Sequence, residues 1–248
     1  MQNIVAYGVE LANVLEWVEV FDIETLKFMQ LSRKDCQFDY RMSIFKTSPG
    51  KKFIVTKVAL RLRKFSLQSG GEQSGGYSPN ISYKDLAQYF STAEIDRPTV
   101  RDVRKAVIVI RNRKLPDPSV VPNAGSFFKN PVISETRTAE IREKFPLLPT
   151  HPVLPTHSVL GALSGGDSTG LVKVSAAWII DHVAGLAGKG NEKVSTYENQ
   201  ALVIVNRGGA TARDIKNFAE TIALIVKEKT KIKLETEVEW VSNETIKK

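Results

Sequence analysis

Apolar and polar positions alternate along the first sixty residues. Between Leu15 and Ile23, Val18, Val20 and Ile23 interleave with Glu19 and Asp22, and Phe28–Leu31 follows after a short polar turn. That is a hairpin pattern. Phe53–Leu62 alternates again and predicts a further strand. At Thr99 the period changes: Val103, Ala106, Val107 and Ile110 share one helical face, Thr99 and Asp102 have capping-box spacing, and Pro116 ends the run. Pro116, Pro118, Pro122, Asn123 and Gly125 then break regular structure and place a domain boundary. Farther on, Val172–Ala187 predicts a mostly buried helix and Ala201–Val205 an apolar strand. Thr211–Asp214 caps a long amphipathic helix bearing Ile215, Phe218, Ile222, Ile225 and Val226, and Lys231–Val241 predicts a closing strand. Two stretches interrupt this order. Residues 66–80 are Gly/Ser-rich and read as a connector. Residues 146–170 hold a short duplication, Leu148–His151 and Leu154–His157, and read as a loop insertion. The succession predicts an α+β chain in two domains, 1–118 and 119–248.

Composition narrows the classes. No long uninterrupted apolar run occurs and the amino terminus lacks a basic-then-apolar leader, so neither a membrane span nor a secretory signal is expected. One cysteine, Cys36, rules out an internal disulfide and fits the cytoplasm. The net charge of +8 asks for an anionic partner. Its bases are scattered among acids, as in Glu140–Lys144, and the densest basic stretch, Arg97–Lys114, encloses the apolar Val107–Ile110. A phosphate-rich ligand or cofactor therefore explains the charge at least as well as nucleic acid. Three histidines and one cysteine show no metal-ligand spacing, and no metal is expected.

The chemistry concentrates in one segment. Pro122–Pro131 puts Ser126 in a small-residue turn beside Phe127, Phe128, Lys129 and Asn130, a dense set of donors on a constrained backbone. Residue types alone leave a structural turn as good a reading. Ala124–Pro131 resembles the signature of the UDP-N-acetylenolpyruvoylglucosamine reductase (MurB) family, and further similarities follow the family's order. Gln2–Ile4 with Ala6–Gly8 is similar to its flavin-side loop, Cys36–Lys46 to its tyrosine–arginine motif and Lys114–Pro118 to the approach to the serine turn. Leu234–Val238 is similar to its terminal acidic motif. Three positions depart from the pattern: Val5 replaces a usual glycine, Met42 a usual aspartate, and Glu239 a frequent basic residue. The family's first domain and its Gly-rich loop over the flavin pyrophosphate have no counterpart in this sequence.

The resemblance implies a flavoenzyme that uses FAD, with NADPH as co-substrate, to reduce UDP-N-acetylglucosamine enolpyruvate in peptidoglycan synthesis. Residues 1–118 would then be the carboxy-terminal part of a FAD-binding domain and 119–248 a UDP-sugar domain. Gln2, Asn3, Ile4, Ala6, Tyr7, Gly8 and Arg111 would contact the cofactor. Tyr83, Lys114, Lys129, Asn130 and Gln200 would hold the nucleotide. Ser126 would donate a proton, with Lys129 nearby, Arg41 would pair with the substrate carboxylate, and Glu237 would hydrogen-bond the developing enediolate, with Glu235 as its competitor. The implied protein is a monomer when complete, with no membrane or nucleic-acid partner. Two other readings stay open: a reductase remnant that binds UDP-sugar without chemistry, and a basic nucleic-acid-binding module.

Overall fold

The computed structural model describes residues 1–62, 79–153 and 170–241, together with the paired backbones of Ser66–Leu67 and Gln73–Ser74. The expected connector at 66–80 is otherwise described only at 79–80, and the second Leu-Pro-Thr-His copy at 154–157 lies outside the described residues. The chain forms two compact units, Met1–Ile110 and Arg111–Lys248. Their boundary falls within a helix, eight residues before the 118/119 break read from sequence.

In the first unit β1 (Val5–Ala6) and β2 (Val9–Glu10) make a small hairpin, and a short helix, α1 (Leu11–Val14), leads into a three-stranded sheet. Its strands are β3 (Leu15–Asp22), β4 (Lys27–Ser32) and β5 (Phe53–Leu60), in the order β4-β3-β5 and antiparallel throughout. The expected hairpin is β3–β4. Central β3 buries Val18 and Val20 completely, because residues two apart share one face of the sheet and that face packs against Cys36, Phe38, Phe45 and Phe53. Asp22 stops it: Oδ1 accepts the N–H groups of Glu24 (2.9 Å) and Thr25 (3.2 Å), an Asx turn. Ser66–Leu67 and Gln73–Ser74 pair antiparallel as β6 and β7. Two helices follow, α2 (Lys84–Thr92), which the sequence pattern did not reveal, and α3 (Val100–Lys114). The capping box on α3 forms as its spacing predicts, with Thr99 N–H donating to Asp102 Oδ2 (2.9 Å) and Asp102 N–H to Thr99 Oγ1 (3.3 Å). Leu86, Phe90, Ala106 and Ile110 form the contact between the two helices.

The second unit holds two further antiparallel sheets. One orders β12 (Val194–Tyr197), β13 (Gln200–Asn206) and β8 (Asn123–Ser126). The other orders β10 (Thr150–Pro152), β11 (Leu171–Val174) and β9 (Val132–Ser134), with α4 (Glu135–Lys144) directly after β9. The long helix α6 (Ala212–Thr230) packs Ala219, Ile222 and Val226 into a core shared with Val194, Ile204, Ile179 and Ile180. Helices packed on antiparallel sheets make the chain α+β, the fold class expected.

Two expectations are corrected. Val172–Ala187 is not one helix. Leu171–Val174 pairs with Val132–Ser134 on one side and Thr150–Pro152 on the other, and those ladders claim its backbone. Helical structure begins only after Ser175, whose Oγ accepts the Trp178 N–H (3.2 Å), as α5 (Ala176–Trp178) and a wide turn over Ile179–Val183. Lys231–Val241 is not a sheet strand either. Lys231 itself is left-handed, the chain bends at Glu237–Val238, and among the described residues the stretch forms a single bridge, Phe128 to Thr236.

Candidate active site

In the first unit, two motifs distant in sequence are stitched together. Asn3 N–H donates to the Met42 carbonyl (3.2 Å), Ser43 Oγ to the Met1 carbonyl (2.6 Å) and Lys46 Nζ to Gln2 Oε1 (2.9 Å). Asn3 is buried; its amide donates to Glu10 Oε2 (2.9 Å) and its Oδ1 accepts the Ala12 N–H (3.1 Å). That side chain serves the fold, so a cofactor role at this position would fall to the backbone. Tyr7 and Gly8 turn the β1–β2 hairpin with φ of 49° and 82°, the left-handed pair of a type I′ turn. A Cβ on Gly8 would also lie 3.2 Å from the Asn80 side-chain nitrogen, which would have to shift by a few tenths of an ångström. Val5, the departure from the family's glycine, sits in the extended arm and not among the positive-φ residues, where a β-branched side chain fits. Ile4, Ala6 and Gly8 are exposed.

Tyr83 caps the start of α2 and meets the Tyr7 ring edge-on, centroids 5.1 Å apart. Partial burial, and secondarily the Asp85 carboxylate, holds its phenol above the ordinary tyrosine range. Arg41 occupies a tight turn closed by Met42 N–H to the Asp39 carbonyl (3.1 Å), with φ of 53°. A long side chain in the left-handed region is uncommon and carries strain.

The second unit builds the serine turn. Ser126 ends β8 opposite Val203 of β13, exposed, and the next residue, Phe127, donates its N–H to the Leu202 carbonyl (2.8 Å). Gly125, at φ 74°, supplies the left-handed residue before it. Phe127 and Phe128 then plunge into the core. The acidic segment runs antiparallel beside this turn. Lys129 N–H donates to the Glu235 carbonyl (2.9 Å) and Glu237 N–H to the Phe127 carbonyl (2.8 Å), on either side of the Phe128–Thr236 bridge. The pairing separates the two candidate acids. Glu235 holds the Lys129 ammonium at 3.3 Å, an outer-surface pair, whereas half-buried Glu237 lies across from the residue next to Ser126.

Two of the remaining nucleotide-side candidates of this unit, Gln200 and Lys114, lie toward the Ser126 end of the β12–β13–β8 sheet. Gln200 opens β13, three positions before the residue opposite Ser126, about 10 Å along a strand. Its neighbour Asn199 donates to the Arg113 carbonyl (3.4 Å) and so ties this strand end to the end of α3, where Lys114 sits. Arg111, one helical turn earlier, is exposed. Asn130 uses Oδ1 to accept the Ala176 N–H (3.0 Å) and anchors the start of α5. Thus Lys114, Ser126, Lys129, Asn130, Gln200 and Glu237 belong to one unit, and Gln2–Gly8, Arg41 and Tyr83 to the other. The sequence reading overlooked Phe127 as the hub of the turn and Trp240, whose ring meets Phe127 at 5.9 Å. Nothing in local periodicity marks either. Among the described residues no cluster of His, Cys, Asp or Glu could hold a metal ion.

An α+β chain with a serine turn hydrogen-bonded to an acidic segment is the class that fold and site define. Comparison with known proteins makes it specific. Residues 117–241 match the family model described as the UDP-N-acetylenolpyruvoylglucosamine reductase, C-terminal domain. The chain belongs to the UDP-N-acetylenolpyruvoylglucosamine reductase family. It is 38% identical over 240 residues to the reductase of Dechloromonas aromatica and 38% identical over 237 residues to that of Shewanella baltica. Both alignments cover 96% of this chain, but only 64% and 61% of the respective relatives. The crystal structure of the Thermus caldophilus enzyme shares the fold at 24% identity, with a TM-score of 0.50 over 95% of this chain and 55% of that one.

Proposed function

We propose that this chain serves the NADPH- and FAD-dependent reduction of UDP-N-acetylglucosamine enolpyruvate to UDP-N-acetylmuramate, in peptidoglycan synthesis. The observation that carries this reading is the pairing of the Ser126 turn with the Glu235–Glu237 segment, in a chain of the reductase family. In this reading residues 1–118 are the carboxy-terminal part of the FAD-binding domain and 119–248 the UDP-sugar domain.

Reduction of the enolpyruvyl double bond leaves charge spread toward the substrate carboxylate as an enediolate, and the α-carbon must take a proton. The exposed Ser126 hydroxyl is the proton donor. Glu237 is the hydrogen-bonding partner of the enediolate. Arg41 offers the carboxylate a planar, bidentate guanidinium, and the left-handed turn that holds it is the kind of strain found at functional positions. Lys114, Lys129, Asn130, Gln200 and Tyr83 hold the uridine diphosphate. FAD, when bound, supplies the hydride. The β1–β2 hairpin would hold such a group, since exposed Ala6 and Gly8 leave the backbone open to close approach, with Gln2, Asn3, Ile4 and Tyr7 of the same unit; Arg111, of the other unit, would be a further cofactor contact.

In the flavin-loaded protein, Ser126→Ala should leave reduction of the flavin by NADPH nearly intact. Reoxidation by the enolpyruvyl substrate should slow about 100-fold or more, the scale of a lost proton donor. Stopped-flow absorbance separates the two halves; equal slowing of both would remove Ser126 from that role.

A further inference from the structure

Glu237 belongs to a segment that no sheet secures. After Leu234, buried in the core, the contacts that hold the chain from Glu235 to Val241 include the two backbone hydrogen bonds that make the Phe128–Thr236 bridge, the Lys129–Glu235 ion pair, partly buried Val238 and an aromatic contact. That contact is Trp240 on Phe127, T-shaped with an interplanar angle of 61°. Phe127 is the residue on which everything local converges: its N–H bonds β13, its carbonyl takes the Glu237 N–H, and it follows Ser126 directly. The indole closes the segment from outside, three residues beyond the acid, and keeps 42% of its surface exposed.

We propose that Trp240 is a positioning residue: its edge-to-face contact with Phe127 latches the acid-bearing segment against the serine turn and so sets Glu237 beside the enolpyruvyl group. This rests on the reading of Ser126 and Glu237 given above. An edge-to-face pair shifts a local opening equilibrium roughly two- to tenfold beyond its area burial, and a lost indole adds the apolar contact itself. Because Trp240 is half-exposed, its removal leaves no closed cavity and the core stays folded. The enolpyruvyl end of the substrate should feel the loss most; of the nucleotide-side residues only Lys129 touches this segment, while Gln200, Asn130 and Lys114 bond elsewhere, so the nucleotide end should feel it less.

Two measurements on the chain test this, with Trp240→Ala and the conservative Trp240→Phe. In Trp240→Ala, amide hydrogen exchange at Glu237 and Lys129 should quicken at least about tenfold while Val203 and Ile222 keep their protection, and Trp240→Phe should restore it. Unchanged exchange at Glu237 overturns the latch. Calorimetric titration with UDP-N-acetylglucosamine and with its enolpyruvyl derivative then gives the affinity ratio between them. Trp240→Ala should lower that ratio about three- to tenfold, with affinity for UDP-N-acetylglucosamine held within twofold, and Trp240→Phe should recover it. A ratio lowered by Glu237→Ala but untouched by Trp240→Ala overturns the positioning role alone. A ratio that Glu237→Ala and Ser126→Ala leave unchanged, or no UDP-sugar binding by the unaltered chain, overturns the reading of the site itself.

Discussion

Arg41 shows how a single residue can be placed by its motif yet understood only through its backbone. The sequence marks it as a guanidinium after a tyrosine; the structure adds a left-handed φ of 53° within a turn closed on Asp39. An L-residue pays about 1–2 kcal/mol to stay there, which glycine does not. Arg41→Gly should therefore leave thermal stability unchanged or raise it by up to about 1 kcal/mol, after allowing for the greater freedom glycine gains on unfolding. Affinity for the enolpyruvyl substrate should meanwhile drop by about tenfold or more, as expected when a bidentate charged contact is lost. Calorimetric unfolding and ligand titration read the two effects separately; a destabilised Arg41→Gly would mean that the side chain holds the fold. Cys36 is the opposite case, a residue with no visible chemistry. It is fully buried, and that burial, with a smaller contribution from Asp35, pushes its thiol up to about 11.

At the scale of elements, α6 joins a locally specified start to a tertiary end. Thr211 N–H donates to Asp214 Oδ2 (2.8 Å) and Asp214 N–H to Thr211 Oγ1 (3.2 Å), a reciprocal box readable from the spacing alone. The other end closes on Lys231 in the left-handed region, φ 61°, and on the Arg137 guanidinium, which donates to the Thr230 carbonyl at 2.7 Å. Arg137 comes from α4, and no inspection of α6 could have supplied it. Thr211→Ala should cost about 1 kcal/mol. That corresponds to a melting point lower by roughly 2–4 °C for a domain of this size. The Thr211 N–H, with its hydroxyl, holds the Asp214 carboxyl below the ordinary aspartate range. The cap's electrostatic part is therefore complete above the ordinary aspartate pKa and fades as pH falls through the lowered folded value. Circular dichroism melts at pH 7 and pH 2.5 check this: the gap between wild type and Thr211→Ala should narrow in acid, and a constant gap would assign the cap to the hydroxyl alone.

For the whole molecule, the apolar clusters respect the division into two units. One core is built from residues of the second unit, and the clusters around Val18–Val20 and Leu86–Ile110 from residues of the first. Ile222 is fully buried in the former, so Ile222→Ala should remove about 2–5 kcal/mol there. Amides of β12 and β13 should lose protection against hydrogen exchange while those of Val18 and Val20 keep theirs; parallel loss in both would show that the units unfold as one. Among the described residues no helix is long and apolar enough to cross a membrane. The features legible in the sequence were those governed by near neighbours. These are the β3–β4 alternation, the Thr99–Asp102 and Thr211–Asp214 boxes, the apolar stripe of α6 and the motif that names the family. Each depends on contacts within a turn or on the alternation of one strand. Only the tertiary structure decided that Leu171–Val174 is a strand and that Lys231–Val241 is not. It also decided that Asn3 is spent inside the fold, and that Glu235 pairs with Lys129 while Glu237 lies against the Ser126 turn. Those outcomes depend on which distant backbone or side chain arrives to satisfy a hydrogen bond, and local periodicity carries no record of a partner a hundred residues away.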